Sequence, residues 1–77
     1  MTLYRIVYYL DVNQTKKATT KEFDNFSEMK KKAKELYDLT KRPLYVEWCY
    51  SITNYGLWTL LKYCMSKNDI NNIKEKY

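Results

Sequence analysis

Leu44-Tyr45-Val46-Glu47-Trp48-Cys49-Tyr50-Ser51-Ile52 alternates along its whole length. Leu44, Val46, Trp48, Tyr50 and Ile52 fall on one side, and Tyr45, Glu47, Cys49 and Ser51 on the other, the two-residue period of a strand. Just upstream the period changes. Met29, Ala33, Leu36, Tyr37 and Thr40 recur at helical spacing, while Lys30, Lys31, Lys32, Lys34, Glu35, Asp38 and Lys41 take the remaining positions. Ser27 is placed to cap this helix, Glu28 suits the positive end of its dipole, and Pro43 stops it by disfavouring helical backbone at Arg42. A helix running directly into a strand is the core of the fold prediction.

The flanks extend the pattern. From Leu3 to Val12, Tyr4, Ile6, Tyr8 and Leu10 alternate with Leu3, Arg5, Val7 and Tyr9, predicting a first strand. Asn13-Gln14-Thr15-Lys16-Lys17 reads as a turn, and Ala18 to Phe23 as a second, weaker strand in an antiparallel hairpin. Downstream, Asn54-Tyr55-Gly56 holds the only glycine where a hairpin needs positive φ. Leu57 to Met65 supports two readings. Leu57, Leu60, Leu61, Cys64 and Met65 fit a helical face, while Trp58, Thr59 and Tyr63 and the preceding hairpin signal favour a strand, the reading adopted. Ser66-Lys67-Asn68-Asp69 has capping-box spacing and opens a terminal helix with Ile70, Ile73 and Tyr77 inward and Lys74 and Lys76 in its last turn. The order β-β-α-β-β-α predicts an α+β fold: one small domain spanning 1–77, with an antiparallel sheet and helices on one face.

Composition limits the chemistry. The 77 residues include no histidine, one glycine, one proline and two cysteines. Without histidine the usual proton shuttle near neutral pH is missing, and one glycine cannot build a phosphate loop. The two cysteines fall short of the four ligands of structural zinc. The expectation is a protein that is not an enzyme and carries no metal or cofactor. Met1-Thr2-Leu3-Tyr4-Arg5 does not open like a signal peptide, and no apolar run reaches a membrane span. These features predict no membrane association and a cytoplasmic location with reduced thiols.

What remains is binding. The chain carries nine tyrosines, two tryptophans and a net charge of +5, with fourteen Lys and Arg of which only Arg5 and Arg42 are arginine. Lysine is a mobile point charge suited to phosphate backbones. Lys30, Lys31, Lys32 and Lys34, with Lys16, Lys17 and Lys21 expected nearby, would hold phosphates, although Glu28, Glu35 and Asp38 interleave as on an ordinary solvated helix face. The sheet face away from the helices would present some of Arg5, Tyr9, Tyr45, Glu47 and Lys62. Rings among cations suit base stacking and equally suit a protein hot spot. Glu47, inside the most apolar strand, reads as an outward residue or as a partner for Arg5 or Lys62.

Tyr4 to Leu36 comprises an aromatic-rich strand, a Lys/Thr turn, then Lys21-Glu22-Phe23-Asp24-Asn25-Phe26-Ser27-Glu28 leading into a Lys-rich helix. This segment resembles the openings of small accessory proteins of phages and mobile elements from AT-rich Gram-positive bacteria. It is also similar to the strand-strand-helix arm-binding module of phage integrases, whose sheet contacts DNA. The likeness covers under half the chain, which departs from that module through Leu44 to Met65. It implies a stand-alone accessory protein in the host cytoplasm, of the kind that includes anti-CRISPR inhibitors, and the +5 charge argues against the acidic nucleic-acid mimics among them. Two partner classes follow: nucleic acid or a nucleoprotein complex, bound through Arg5, Tyr9, Lys16, Lys17, Lys30, Lys31, Lys32, Lys34 and Tyr45, or a host protein, with a homodimer through a strand edge also open.

Overall fold

The computed structural model describes residues 2–11, 13–50 and 57–76. Strands β1 (Thr2–Tyr9), β2 (Lys17–Thr19), β3 (Leu44–Tyr50) and β4 (Thr59–Cys64) form an antiparallel sheet in the order β2-β1-β3-β4. Helix α1 (Phe26–Thr40) follows β2, and the short α2 (Lys67–Asn71) follows β4. The expected α+β order is present, and Leu57 to Met65 contributes a strand. Val12, Ser51, Ile52, the Asn54-Tyr55-Gly56 turn and Tyr77 lie outside the described residues.

β1 and β3 are the paired centre, in register from Thr2↔Tyr50 to Tyr8↔Leu44. Their alternation sends Tyr4, Ile6, Leu44 and Val46 to the helix side, where they meet Met29, Ala33 and Leu36 of α1, Cys64 of β4, and Ile70 and Ile73. Full burial of each large apolar side chain there contributes about 1.5–3 kcal/mol. Val7 and Cys49 are also buried but stand outside this cluster, on the opposite face of the same strands.

Several local expectations are corrected. The second strand is Lys17–Thr19, not Ala18 to Phe23. It stops because Thr20 replaces a ladder carbonyl with its hydroxyl, which accepts from Ile6 N–H at 3.0 Å. Phe23 rejoins β1 only as an isolated bridge to Tyr4. Asn25, not Ser27, caps α1, accepting from Glu28 N–H at 2.9 Å, and this lets Phe26 set its ring edge-on to Tyr4 at 5.5 Å. The helix ends before Pro43 acts: Lys41 takes a left-handed conformation (φ 57°) and donates its N–H to the Tyr37 carbonyl at 2.8 Å. Leu10 is exposed, because β1 ends at Tyr9.

Ser66 caps α2 as its spacing predicts, accepting from Asp69 N–H at 3.3 Å, and the Asp69 carboxylate reaches back to Met65 N–H at 2.9 Å. Lys74 and Lys76 lie beyond this helix rather than in its last turn. Residues after α2 instead close one end of the core. The Tyr4 hydroxyl donates to the Lys76 carbonyl at 3.2 Å and accepts from Lys76 N–H at 3.0 Å, and the Lys76 ammonium lies 5.2 Å from the Trp48 ring centre. A Lys67–Asp38 ion pair ties α2 to α1.

Two substitutions rank these contributions. Met29→Ala opens a cavity at a side chain with no exposed surface and is expected to cost about 2–5 kcal/mol. Tyr4→Phe keeps the buried ring and removes the hydroxyl that bonds to Lys76, for about 1 kcal/mol. Urea unfolding followed by circular dichroism measures both, and a Tyr4→Phe cost equal to that of Met29→Ala would contradict this ranking.

Candidate functional site

The sheet face away from the helices carries two adjacent clusters. Pairings Val7↔Tyr45 and Tyr45↔Tyr63 set Tyr45 in the middle of a row, with ring centres 6.4 Å from Tyr9 and 6.2 Å from Tyr63. Lys17, opposite Tyr9 on β2, donates to the Tyr45 hydroxyl at 3.2 Å. That hydrogen bond first, then electrostatic interaction with Tyr45, raises the Lys17 pKa above the ordinary lysine value, and its ammonium sits at the edge of the row. The turn that aims Lys17 is held by Asp11, whose carboxylate accepts from Thr15 N–H at 2.9 Å, Lys16 N–H at 3.0 Å and the Thr15 hydroxyl. These bonds keep the Asp11 carboxyl below its usual pKa.

One step along the strands, Arg5 faces Glu47, with Nε donating to Oε1 at 2.7 Å. The Arg5 guanidinium carbon sits 4.3 Å from the centre of the Trp58 ring. Both side chains remain partly accessible, 30% for Arg5 and 18% for Glu47. Leu60, opposite Glu47 on β4, is exposed, as are Tyr63 and Leu57.

The nine residues expected to bind do not share one surface. Arg5, Tyr9, Lys17 and Tyr45 come together on the open face, with Lys16 in the adjoining turn. Lys30, Lys31, Lys32 and Lys34 ride on α1, behind the sheet. Lys17 is therefore not beside the helix lysines, as expected, but across the sheet from them; Lys21 does meet them. Lys21, Lys31 and Lys32 line an open groove of about 570 Å³ with Tyr8, Phe23 and Glu28. Lys30 is occupied otherwise, donating to the Asn71 carbonyl at 3.1 Å, and Lys32 lies 3.9 Å from Glu35. Lys62 is also off the open face: it pairs with the buried Val46, on the helix side.

Two contributors to the open face, Tyr63 and Trp58, were not among the residues picked from sequence. Simple alternation would put them on opposite faces, since they are an odd number of positions apart. A bulge between Val46 and Glu47 moves β4 by one residue, so that Val46 faces Lys62 but Glu47 faces Leu60. The extra residue, Leu61, packs on the core. The bulge restores Trp58 to the side of Tyr63, where it meets Arg5.

Among the described residues, no group of His, Cys, Asp and Glu is arranged to hold a metal ion, and no helix is long and apolar enough to cross a membrane. Cys49 and Cys64 are both buried and lie on opposite faces of the sheet, which keeps them from bridging to each other. Burial first, then the Asp69 charge, pushes the Cys64 thiol up to about 11, against a smaller opposite effect of Lys62. No known protein family, curated protein or solved structure matches the chain.

The raised Cys64 pKa has a signed consequence. The folded thiol holds its proton more firmly than the unfolded one, so its contribution to stability is complete below the unfolded value of 9.0 and is lost as pH rises toward about 11. In native protein at pH 8, iodoacetamide should leave Cys64 unmodified, with labelling in urea, as read by peptide mass spectrometry. Rapid native labelling would show that the thiol is neither enclosed nor held protonated.

Proposed function

We propose that this protein is a non-enzymatic binding module that takes single-stranded nucleic acid, free or within a nucleoprotein complex, on the open face of its sheet. The observation that carries this reading is the row Tyr9–Tyr45–Tyr63 with Lys17 at its edge. Every base has a face that stacks on an aromatic ring, at about 1–3 kcal/mol per base. The rings lie on the two central strands and one edge strand of a four-stranded sheet whose other face is covered by helices. Lys16 and Lys17 hold phosphates beside the row, and Arg5 clamps from the next position. The lysines of α1 face away from a strand lying there.

A second reading has its own support. Arg5 is already neutralised by Glu47, and Leu60 and Tyr63 expose apolar surface beside the pair. Tyr, Trp and Arg around exposed leucines also make a protein hot spot. In that case the chain acts as an inhibitor docked on a host protein.

Salt separates the two. Two phosphate contacts on a single strand give a slope near −1.4 in log affinity against log salt, at about 0.7 per phosphate. A docked protein would hold its affinity as salt rises. Tyr45→Ser and Tyr9→Ser should each weaken oligonucleotide binding by about 1–3 kcal/mol in fluorescence anisotropy. Lys31→Ala with Lys32→Ala should leave it nearly unchanged. Strong loss from the lysine pair with none from the tyrosines would move the site to α1, and no oligonucleotide binding at low salt would end the nucleic-acid reading.

A further inference from the structure

We infer that Glu47 and Arg5 read the edge of a bound base, so that the face prefers strands of adenine, cytosine or guanine over strands of thymine or uracil. This rests on the nucleic-acid reading of the face.

The pair is built as a fixed reader rather than as two loose surface charges. Arg5 is held through Nε by Glu47 Oε1 at 2.7 Å, and its guanidinium carbon lies 4.3 Å from the centre of the Trp58 ring. Backbone pairing sets the two residues directly opposite each other on the central strands. That leaves Glu47 Oε2 and the two Arg5 Nη groups without a hydrogen-bond partner among the described residues. Glu47 is two residues from Tyr45 on the same strand face, a step of about 6.5–7 Å. Tyr63 adjoins Tyr45, and Leu60 adjoins Glu47. A base stacked on the Tyr45 ring, which is tilted 42° to that of Tyr63, can therefore turn one edge toward the carboxylate one strand step away.

The chemistry of that oxygen selects. A carboxylate oxygen only accepts hydrogen bonds. Adenine, cytosine and guanine each present an exocyclic amino group, and a carboxylate accepting from the cytosine amino group is an established base contact. Thymine and uracil have no amino group, and their single ring N–H lies between two carbonyls, which repel an approaching carboxylate. The Nη donors of Arg5 are placed to meet the acceptor beside the amino group.

The test compares single-stranded cytosine, adenine and thymine oligonucleotides of equal length at low salt, by fluorescence anisotropy. Wild-type protein should bind the cytosine and adenine strands about tenfold more tightly than the thymine strand. Glu47→Gln, whose amide both donates and accepts, should bring the three within about twofold. A strand of N4,N4-dimethylcytosine, which stacks but has no amino donor, should bind wild-type protein as weakly as thymine; this arm does not depend on any variant folding. Equal binding of all strands by wild-type protein, or full binding of the dimethylated strand, overturns the inference and leaves the stacking reading in place. Binding of none overturns both.

Discussion

The helices of this chain can cover only one face of its sheet. α1 has 15 residues and α2 has 5, and both pack against the side that carries Tyr4, Ile6, Leu44 and Val46. A sheet left half-covered must still seat the residues that its two-residue period sends outward. The chain meets this demand with side chains that are apolar along their length and polar at the tip. Tyrosine lays a ring on the sheet with its hydroxyl at the polar tip, and the Arg5 guanidinium sits over the Trp58 ring. Val7 and Cys49 are buried on the helix-free side, so that face already behaves as a thin second core.

Charge is divided by the same geometry. The net +5 belongs to the whole chain and to no single face. The lysine run on α1 is interleaved with Glu28 and Glu35, and Lys30 is spent on the Asn71 carbonyl. On the open face the positive charge is sparse but placed: Lys17 is tied to Tyr45, and Arg5 is held between Glu47 and Trp58. Fixed charges beside rings suit selective recognition, whereas a mobile lysine cluster gives general attraction to anions.

Much of the fold was legible in the chain because burial enforces periodicity. Met29, Ala33 and Leu36 sit at helical spacing and are all buried, and the Ser66 and Asp69 spacing marked the cap of α2. Errors collected where local chemistry outranks periodicity. Thr20 ended β2 through its own hydroxyl, Asn25 outcompeted Ser27 as a cap, and Lys41 closed α1 before Pro43 could. Of the candidate binding residues, Arg5, Tyr9 and Tyr45 were found by strand parity alone. The helix lysines lie on the other side, because nearness in sequence and shared charge say nothing about which side of a sheet a residue occupies.

Side-chain alternation and composition by themselves determined the element order up to β3, the apolar face of α1, the outward position of Arg5, Tyr9, Tyr45 and Glu47, and the lack of histidine chemistry; whether Leu57 to Met65 is strand or helix they left open. These follow from local geometry: the pitch of a helix and the pleat of a strand. The tertiary structure alone decided that Tyr63 joins the ring row, that Trp58 comes under Arg5 and that Lys17 parts from the lysines of α1. Each depends on strand register, and at β4 on a one-residue bulge. A slip of one residue exchanges the two faces of a strand, and register is fixed by contacts between segments far apart in the chain.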